Sequence, residues 1–234
     1  MSSPLTQLAR SCAGAALWTA LGVQLAWLTL NATVLHRHPG MDAIGAVILV
    51  VALIFAGLHR RSRWAAVAMR IVMAAEFLLA VADRFGLLGA PGQAGVQWGS
   101  FANFVSYTRS IIAFLPDDIA PTAAIGATVA EIALGIALLL GLQIRLAAAG
   151  SGALLVLYAT AMSISLPAAE QFHYNVIVLC TTMFALATSD GPVRARRRVV
   201  GLRRLVPTRG VDWDARRAGR RRARRAPQLR EDVR

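Results

Sequence analysis

The 234-residue chain contains no lysine; all 25 of its basic residues are arginine. Alanine, glycine and valine abound beside arginine, the mark of a GC-rich coding sequence, so this bias says little about function. Cysteine is nearly absent too. Cys12 and Cys180 lie far apart and in neither Cys-x-x-Cys nor zinc-type spacing, which excludes a disulfide framework and weighs against dithiol-relay chemistry. No Walker loop, dinucleotide fingerprint, His-Glu-x-x-His or nucleophile elbow is present, so the soluble catalytic classes those motifs serve have no foothold here. Charge is scarce: 16% of residues are charged against 56% hydrophobic, with a mean hydropathy of +0.55. That balance is outside the range of soluble globular chains and reads as a membrane protein.

What charge there is sits unevenly. Residues 191–234 hold 16 Arg against 4 acidic residues, while residues 1–190 hold 9 Arg against 8, so the formal net charge of +13 belongs almost wholly to the C-terminal segment. That segment cannot form an apolar face and is expected to be a disordered cytoplasmic tail. Its arginines, Arg203, Arg204, Arg216, Arg217 and Arg220 to Arg222 among them, suit anionic lipid headgroups, at about 1 kcal/mol each near the surface. Nucleic acid is disfavoured as a partner, because Trp213 is the tail's only stacking aromatic.

Crossing a hydrocarbon core of about 30 Å takes about 20 apolar residues in a helix. Six runs meet or approach this length, spanning Ser11 to Leu35, Asp42 to Leu58, Trp64 to Ala82, Thr122 to Leu142, Arg145 to Leu166 and His173 to Thr188. The first is long and lacks a clean small-x-small cleavage site, which favours an uncleaved span over a signal peptide. With six spans and both termini cytoplasmic, Arg10, Arg60, Arg61, Arg63, Arg145 and the tail all fall on the positive side. The expected architecture is an all-α polytopic bundle in a bacterial inner (plasma) membrane. It divides into an N-terminal hairpin over 1–62, a four-helix core over 63–190 and the tail over 191–234.

The loop from Asp83 to Pro121 is longer than the others and carries its own amphipathic pattern. Phe101, Phe104, Val105, Thr108, Ile111, Ile112 and Leu115 share one helical face, and Asn103, Ser106, Arg109 and Ser110 the other. A helix near 98–115 is expected, either lying at the membrane interface or packed as a lid on the bundle, with Trp98 and Tyr107 at headgroup depth.

Ionisable residues inside spans are costly, at about 2.5 to 3.5 kcal/mol each on insertion scales, and three stand out: Arg70, Glu76 and Glu131. Counting about 1.5 Å per residue from the span ends puts Arg70 and Glu131 at neighbouring depths. Glu76 lies roughly 120° around the helix from Arg70, so an Arg70–Glu131 pair between helices is the expected neutralisation. Glu76 then shares with Asp83, seven residues on, a face running to the outer surface. Thr128, one turn before Glu131, and Tyr158 in the fifth span offer hydroxyls to a buried acid. Ala127 and Gly135 clear space for close helix approach on the same face as Glu131. Such a cluster serves equally as a structural clamp or as a ligand or proton site. His36, His38, His59 and His173 read as surface residues, no metal site is expected, and both cysteines read as apolar fillers.

Glu131 within an apolar helix, Gly135 one turn on, a leucine run ending in Gly141, and Arg145 opening the next apolar stretch form a pattern. Asp83-Arg84-Phe85-Gly86 at one span's exit and Phe114-Leu115-Pro116 before the next extend it. Together these resemble the DoxX-like membrane proteins over residues 69–187, about half the chain. The resemblance implies a four-helix core formed by the third to sixth spans, and a link to quinone-coupled sulfur oxidation or to oxidoreductase assemblies handling thiol stress. By position, Glu131, Gly135 and Arg145 fall on the family's pattern, and Asp83 and Arg84 on its first-helix exit. The chain adds two N-terminal spans and the Arg-rich tail, and its third span lacks the glycine and lysine associated with the family's first helix.

The expected function is an integral membrane subunit associated with a quinone-linked or thiol/sulfur oxidoreductase system. It would have no intrinsic cofactor, with a quinone as candidate ligand and oxidoreductase subunits as candidate partners. The candidate polar site comprises Arg70, Glu76, Asp83, Arg84, Thr128, Glu131 and Tyr158. A proton-coupled carrier of a small solute and a membrane scaffold without catalysis of its own are the alternatives.

Overall fold

A computed structural model describes residues 3–36, 43–59 and 62–189. These residues form eight α-helices and no strand: α1 (Pro4–Thr33), α2 (Ala43–Leu58), α3 (Arg63–Arg84), α4 (Phe101–Ile111), α5 (Ile119–Leu140), α6 (Ile144–Ser165), α7 (Ala168–His173) and α8 (Val176–Thr188). The tail expected over 191–234 lies outside the described residues.

Four of the helices, α1, α3, α5 and α6, are long and apolar enough to cross a membrane; α2 and α8 are shorter apolar helices. Around an apolar core, the bundle also carries apolar side chains on its outside and several polar ones within. Ile125, Val129 and Ile136 of α5 and Leu146 and Leu157 of α6 stand exposed, while Asp83, Arg84, Thr128, Glu131, Ser151 and Thr182 are buried. Lipid reverses the usual preference in this way, since its tails solvate leucine and isoleucine but not a guanidinium or a carboxylate.

Several expected boundaries move, each for a local reason. α1 starts at Pro4 and not near Ser11, because Ser3 caps it by accepting the Thr6 N–H at 3.4 Å and Pro4 suits the first turn. α3 runs on to Arg84, past the expected Ala82. Gly86, at φ +71°, closes it in a left-handed turn with Gly86 N–H bonded to Asp83 O and Leu87 N–H to Ala82 O, both at 2.9 Å. The lid helix is shorter than 98–115: Ser100 caps α4 by accepting the Asn103 N–H at 3.2 Å, and the helix ends at Ile111. Leu115, the residue before Pro116, is disfavoured from continuing a helix. The last span is broken. Asn175, at φ +53°, separates α7 from α8, and its side-chain amide donates to Gly45 O at 3.1 Å.

α2 packs on α3, α3 on α5, α5 on α6, α6 on α8 and α8 on α2, so these five helices close a ring; α1 lies outside it, chiefly along α8, and α4 sits over one end against α5 and α6. α3 and α5 are antiparallel: a Cβ at Gly135 would lie 3.1 Å from Leu78, and one at Gly141 2.8 Å from Arg70 Nη1. The Arg10 Nε–H donates to Thr188 O at 3.0 Å, which puts the start of α1 beside the end of α8. Arg10, Arg63, Arg70 and Arg145 therefore belong to one half of the bundle. The six described carboxylates, Glu76, Asp83, Asp117, Asp118, Glu131 and Glu170, belong to the other.

Candidate functional site

The acidic half holds a cavity of about 900 Å³ inside the helix ring and under α4. Its walls are mostly apolar, with Met73, Phe77, Ile111 and Leu155 among them, and a polar group stands at one side.

That group is built on Glu131. α5 presents the carboxylate inward, one turn from Thr128 and one from Gly135, where the missing side chain admits α3 to close range. Arg84 is its partner. Arg84 Nη2 lies 2.7 Å from Glu131 Oε2 and donates to Oε1 at 2.9 Å, and both side chains are only 2% exposed. Arg84 Nη1–H donates to Thr128 Oγ1 at 3.0 Å, and the threonine hydroxyl in turn donates to Ala124 O at 2.8 Å. Tyr158, from α6, donates its hydroxyl to Glu131 Oε1 at 2.5 Å. One face of the guanidinium is covered by Phe104 of α4, with Cζ 3.6 Å from the ring centroid, and Trp98 lies 5.2 Å away. A cation desolvated against aromatic faces gains from their quadrupoles, so the lid helix is fastened to the ion pair as well as resting over it. Two groups of the centre keep hydrogen-bonding capacity in reserve: Arg84 Nε is buried and makes no hydrogen bond, and Glu131 Oε2 has the ion pair alone.

Asp83, next to Arg84, does a different job. Its carboxylate accepts the backbone N–H groups of Gln97 at 3.1 Å, Trp98 at 2.8 Å and Gly99 at 3.3 Å. These are the residues that lead into α4, so two consecutive side chains at the end of α3 hold the lid by its backbone and the bundle by its ion pair. Gly99 is required in that turn: at φ +63°, a Cβ would come within 2.5 Å of Pro91 N. At the lid's far side, the Gln97 side-chain amide donates to the Tyr174 hydroxyl at 2.5 Å. Burial, helped by nearby Tyr174 and Glu170, pushes the Tyr107 phenol up to about 12.

Of the seven residues singled out in the sequence, the structure brings Arg84, Thr128, Glu131 and Tyr158 into one cluster, with Asp83 beside it and Glu76 on the wall of the same cavity. Arg70 is not part of it. The expected Arg70–Glu131 pair is replaced by Arg84–Glu131, because the register of α3 against α5 puts Arg70 level with Gly141, ten residues and about 15 Å further along α5 than Glu131. A helical side chain also leans toward its own N-terminus, which for Arg84 is toward the bundle interior and for Arg70 is away from it. That directional rule could have found Arg84 from sequence. The roles of Phe104 and Trp98 as a cover on the guanidinium had no sequence signal beyond their place on an apolar loop face. Among the described residues, no group of three or more His, Cys, Asp or Glu side chains is placed to hold a metal ion.

In comparisons with known proteins, no family model, no curated protein and no solved structure matches the chain.

Proposed function

We propose that the chain is a multi-pass membrane protein whose cavity takes a lipid-soluble ligand of the quinone class, working as a DoxX-like subunit beside a quinone-linked or thiol/sulfur oxidoreductase. The observation that carries this reading is the Arg84–Glu131–Tyr158 centre at the side of a large, mostly apolar cavity. Apolar walls match a ring and its isoprenoid chain, and a few convergent polar groups match its carbonyl or hydroxyl oxygens. The unused N–H of Arg84 Nε is a donor in search of an acceptor, since a buried donor left unpaired costs about 1 to 3 kcal/mol. A quinol, when bound, would supply two electrons and two protons; one proton would pass to Glu131, and the electrons with the second proton to the partner oxidoreductase.

The chain's own residues then divide the remaining work. Glu131 is the proton acceptor, and Tyr158, hydrogen-bonded to its Oε1, orients the carboxylate. Arg84 is ion-paired to Glu131 and offers its remaining N–H to an oxygen that gains negative character. Phe104 and Trp98 keep water from the pair. The carrier reading draws less support, because Asp83, half of its outward acidic face, is committed to three backbone N–H groups.

Within this proposal α2 and α8 also cross, giving six spans. The grouping of Arg10, Arg63, Arg70 and Arg145 at one end supports putting that end, and both termini, on the cytoplasmic side of a bacterial plasma membrane. The test is equilibrium binding of a short-chain quinone to the purified chain in nanodiscs, against empty nanodiscs. Saturable binding that falls in Glu131→Gln and Tyr158→Phe is the expected result. Uptake no greater than that of the lipid alone would remove the reading.

A further inference from the structure

Arg70 is left without the carboxylate its sequence position promised, and its surroundings point to another anion. It lies in the first half of α3, about 10 Å from the Arg63 end, and its side chain leans back toward that end. The guanidinium rests against Gly141, the left-handed residue that closes α5 at φ +73°; a Cβ there would lie 2.8 Å from Arg70 Nη1 and 3.4 Å from Cζ. The seat exists because this position has no side chain.

No carboxylate among the described residues pairs with Arg70. Arg70 Nε is buried and makes no hydrogen bond, and every described carboxylate lies in the opposite half of the bundle. Two carbonyls at the end of α5 are taken by its own closing turn: Gly141 N–H bonds to Leu138 O at 3.2 Å and Leu142 N–H to Ala137 O at 2.8 Å. Around the turn, Leu139, Leu140 and Leu142 stand exposed, an apolar rim suited to acyl chains and not to water. Trp64, exposed and with Arg63 5.1 Å from its ring, marks the same end as the level where apolar and charged surroundings meet. Arg145, at the second position of α6, opens from the same turn.

We propose that Arg70, seated against Gly141, binds the phosphate of an anionic phospholipid headgroup at this end of the bundle. A guanidinium fork matches two phosphate oxygens bidentately, and the leucine rim receives the acyl chains. A zwitterionic lipid carries its own cation and would leave the arginine's charge unmatched. This site is separate from the cavity and does not depend on the quinone reading.

The test uses the full chain, so that the tail's arginines contribute equally in every variant. Purified protein is stripped of lipid and titrated with phosphatidylglycerol in mixed micelles, with bound lipid counted by native mass spectrometry. A second arm repeats the phosphatidylglycerol titration with inorganic phosphate added, and a third offers phosphatidylcholine alone. Wild type is expected to retain phosphatidylglycerol and to be indifferent to free phosphate. Arg70→Gln should weaken retention by about tenfold or more, the scale of one charge-assisted pair. Arg70→Lys should fall between, having the charge without the fork. Gly141→Asn, which tolerates the left-handed turn but fills the seat, should weaken binding with Arg70 intact. Wild-type retention in Arg70→Gln would overturn the proposal; if that variant does not fold, wild-type retention in both Arg70→Lys and Gly141→Asn would do so. Equal competition by inorganic phosphate would overturn the lipid assignment in favour of a soluble anion.

Discussion

Arg84 and Glu131 stand 47 residues apart in the chain and meet at 2.7 Å, both almost wholly buried, where α3, α5, α6 and the lid helix converge. Each charge is tolerable there only because of the other. Taking a single ion out of water costs several kcal/mol, and the pair offsets this through close contact and through the hydroxyls of Thr128 and Tyr158.

Removing one member should therefore cost more than removing both. Arg84→Met and Glu131→Leu are each expected to destabilise the bundle by about 3 to 5 kcal/mol, with the double variant closer to wild type than either. Reversible unfolding in mixed micelles measures the cycle. Additive losses would show that the two side chains do not act as a pair.

Asp83→Asn keeps the side chain's shape and removes the charge that three backbone N–H groups share. The expected cost is about 1 to 3 kcal/mol, borne locally by the lid. Hydrogen exchange should quicken at Gln97, Trp98, Gly99 and through α4, while the core of α5 and α6 keeps its protection. Uniform loosening of all helices would contradict a local clasp.

Phe104→Leu keeps an apolar side chain, though a smaller one, and removes the ring over the Arg84 guanidinium. A desolvated cation–π contact is worth about 2 kcal/mol, so the variant should open the lid more readily. Paired with Arg84→Met, the same substitution should have little further effect, and full additivity in that pair would exclude the contact as the cause.

Tyr107 gives an alkaline signature. Its phenol is raised from 10.0 to about 12, so folding favours the protonated form. The stability this contributes is fully present below pH 10 and is lost as the pH climbs toward 12, because the unfolded chain gives up the proton first. Tyr107→Phe should flatten the pH dependence of unfolding across that window. Phenolate absorbance of the wild type should show a component near pH 12 that Tyr107→Phe lacks.

Helical class, apolar length and the inward-facing Glu131 were legible in the residues alone. Each is a local matter: runs of Leu, Ile, Val and Ala dictate helices in lipid, Gly135 one turn from Glu131 marks a close approach, and Thr128 lies one turn away on the same face. The pairing was decided by the tertiary structure. Span ends estimated from hydropathy were off by two residues at Arg84 and by seven at Pro4. More was needed than correct ends, for which arginine meets Glu131 depends on how far α3 slides along α5. Interlocking side chains set that slide, Leu78 against Gly135 and Arg70 against Gly141, and a short-ranged contact between distant segments leaves no periodic trace in either. The same holds for Asp83. As a residue it was one more acid near a membrane surface; only the return of the chain at Gln97, Trp98 and Gly99 made it the clasp of a lid, because its hydrogen bonds go to backbone N–H groups that any sequence could supply.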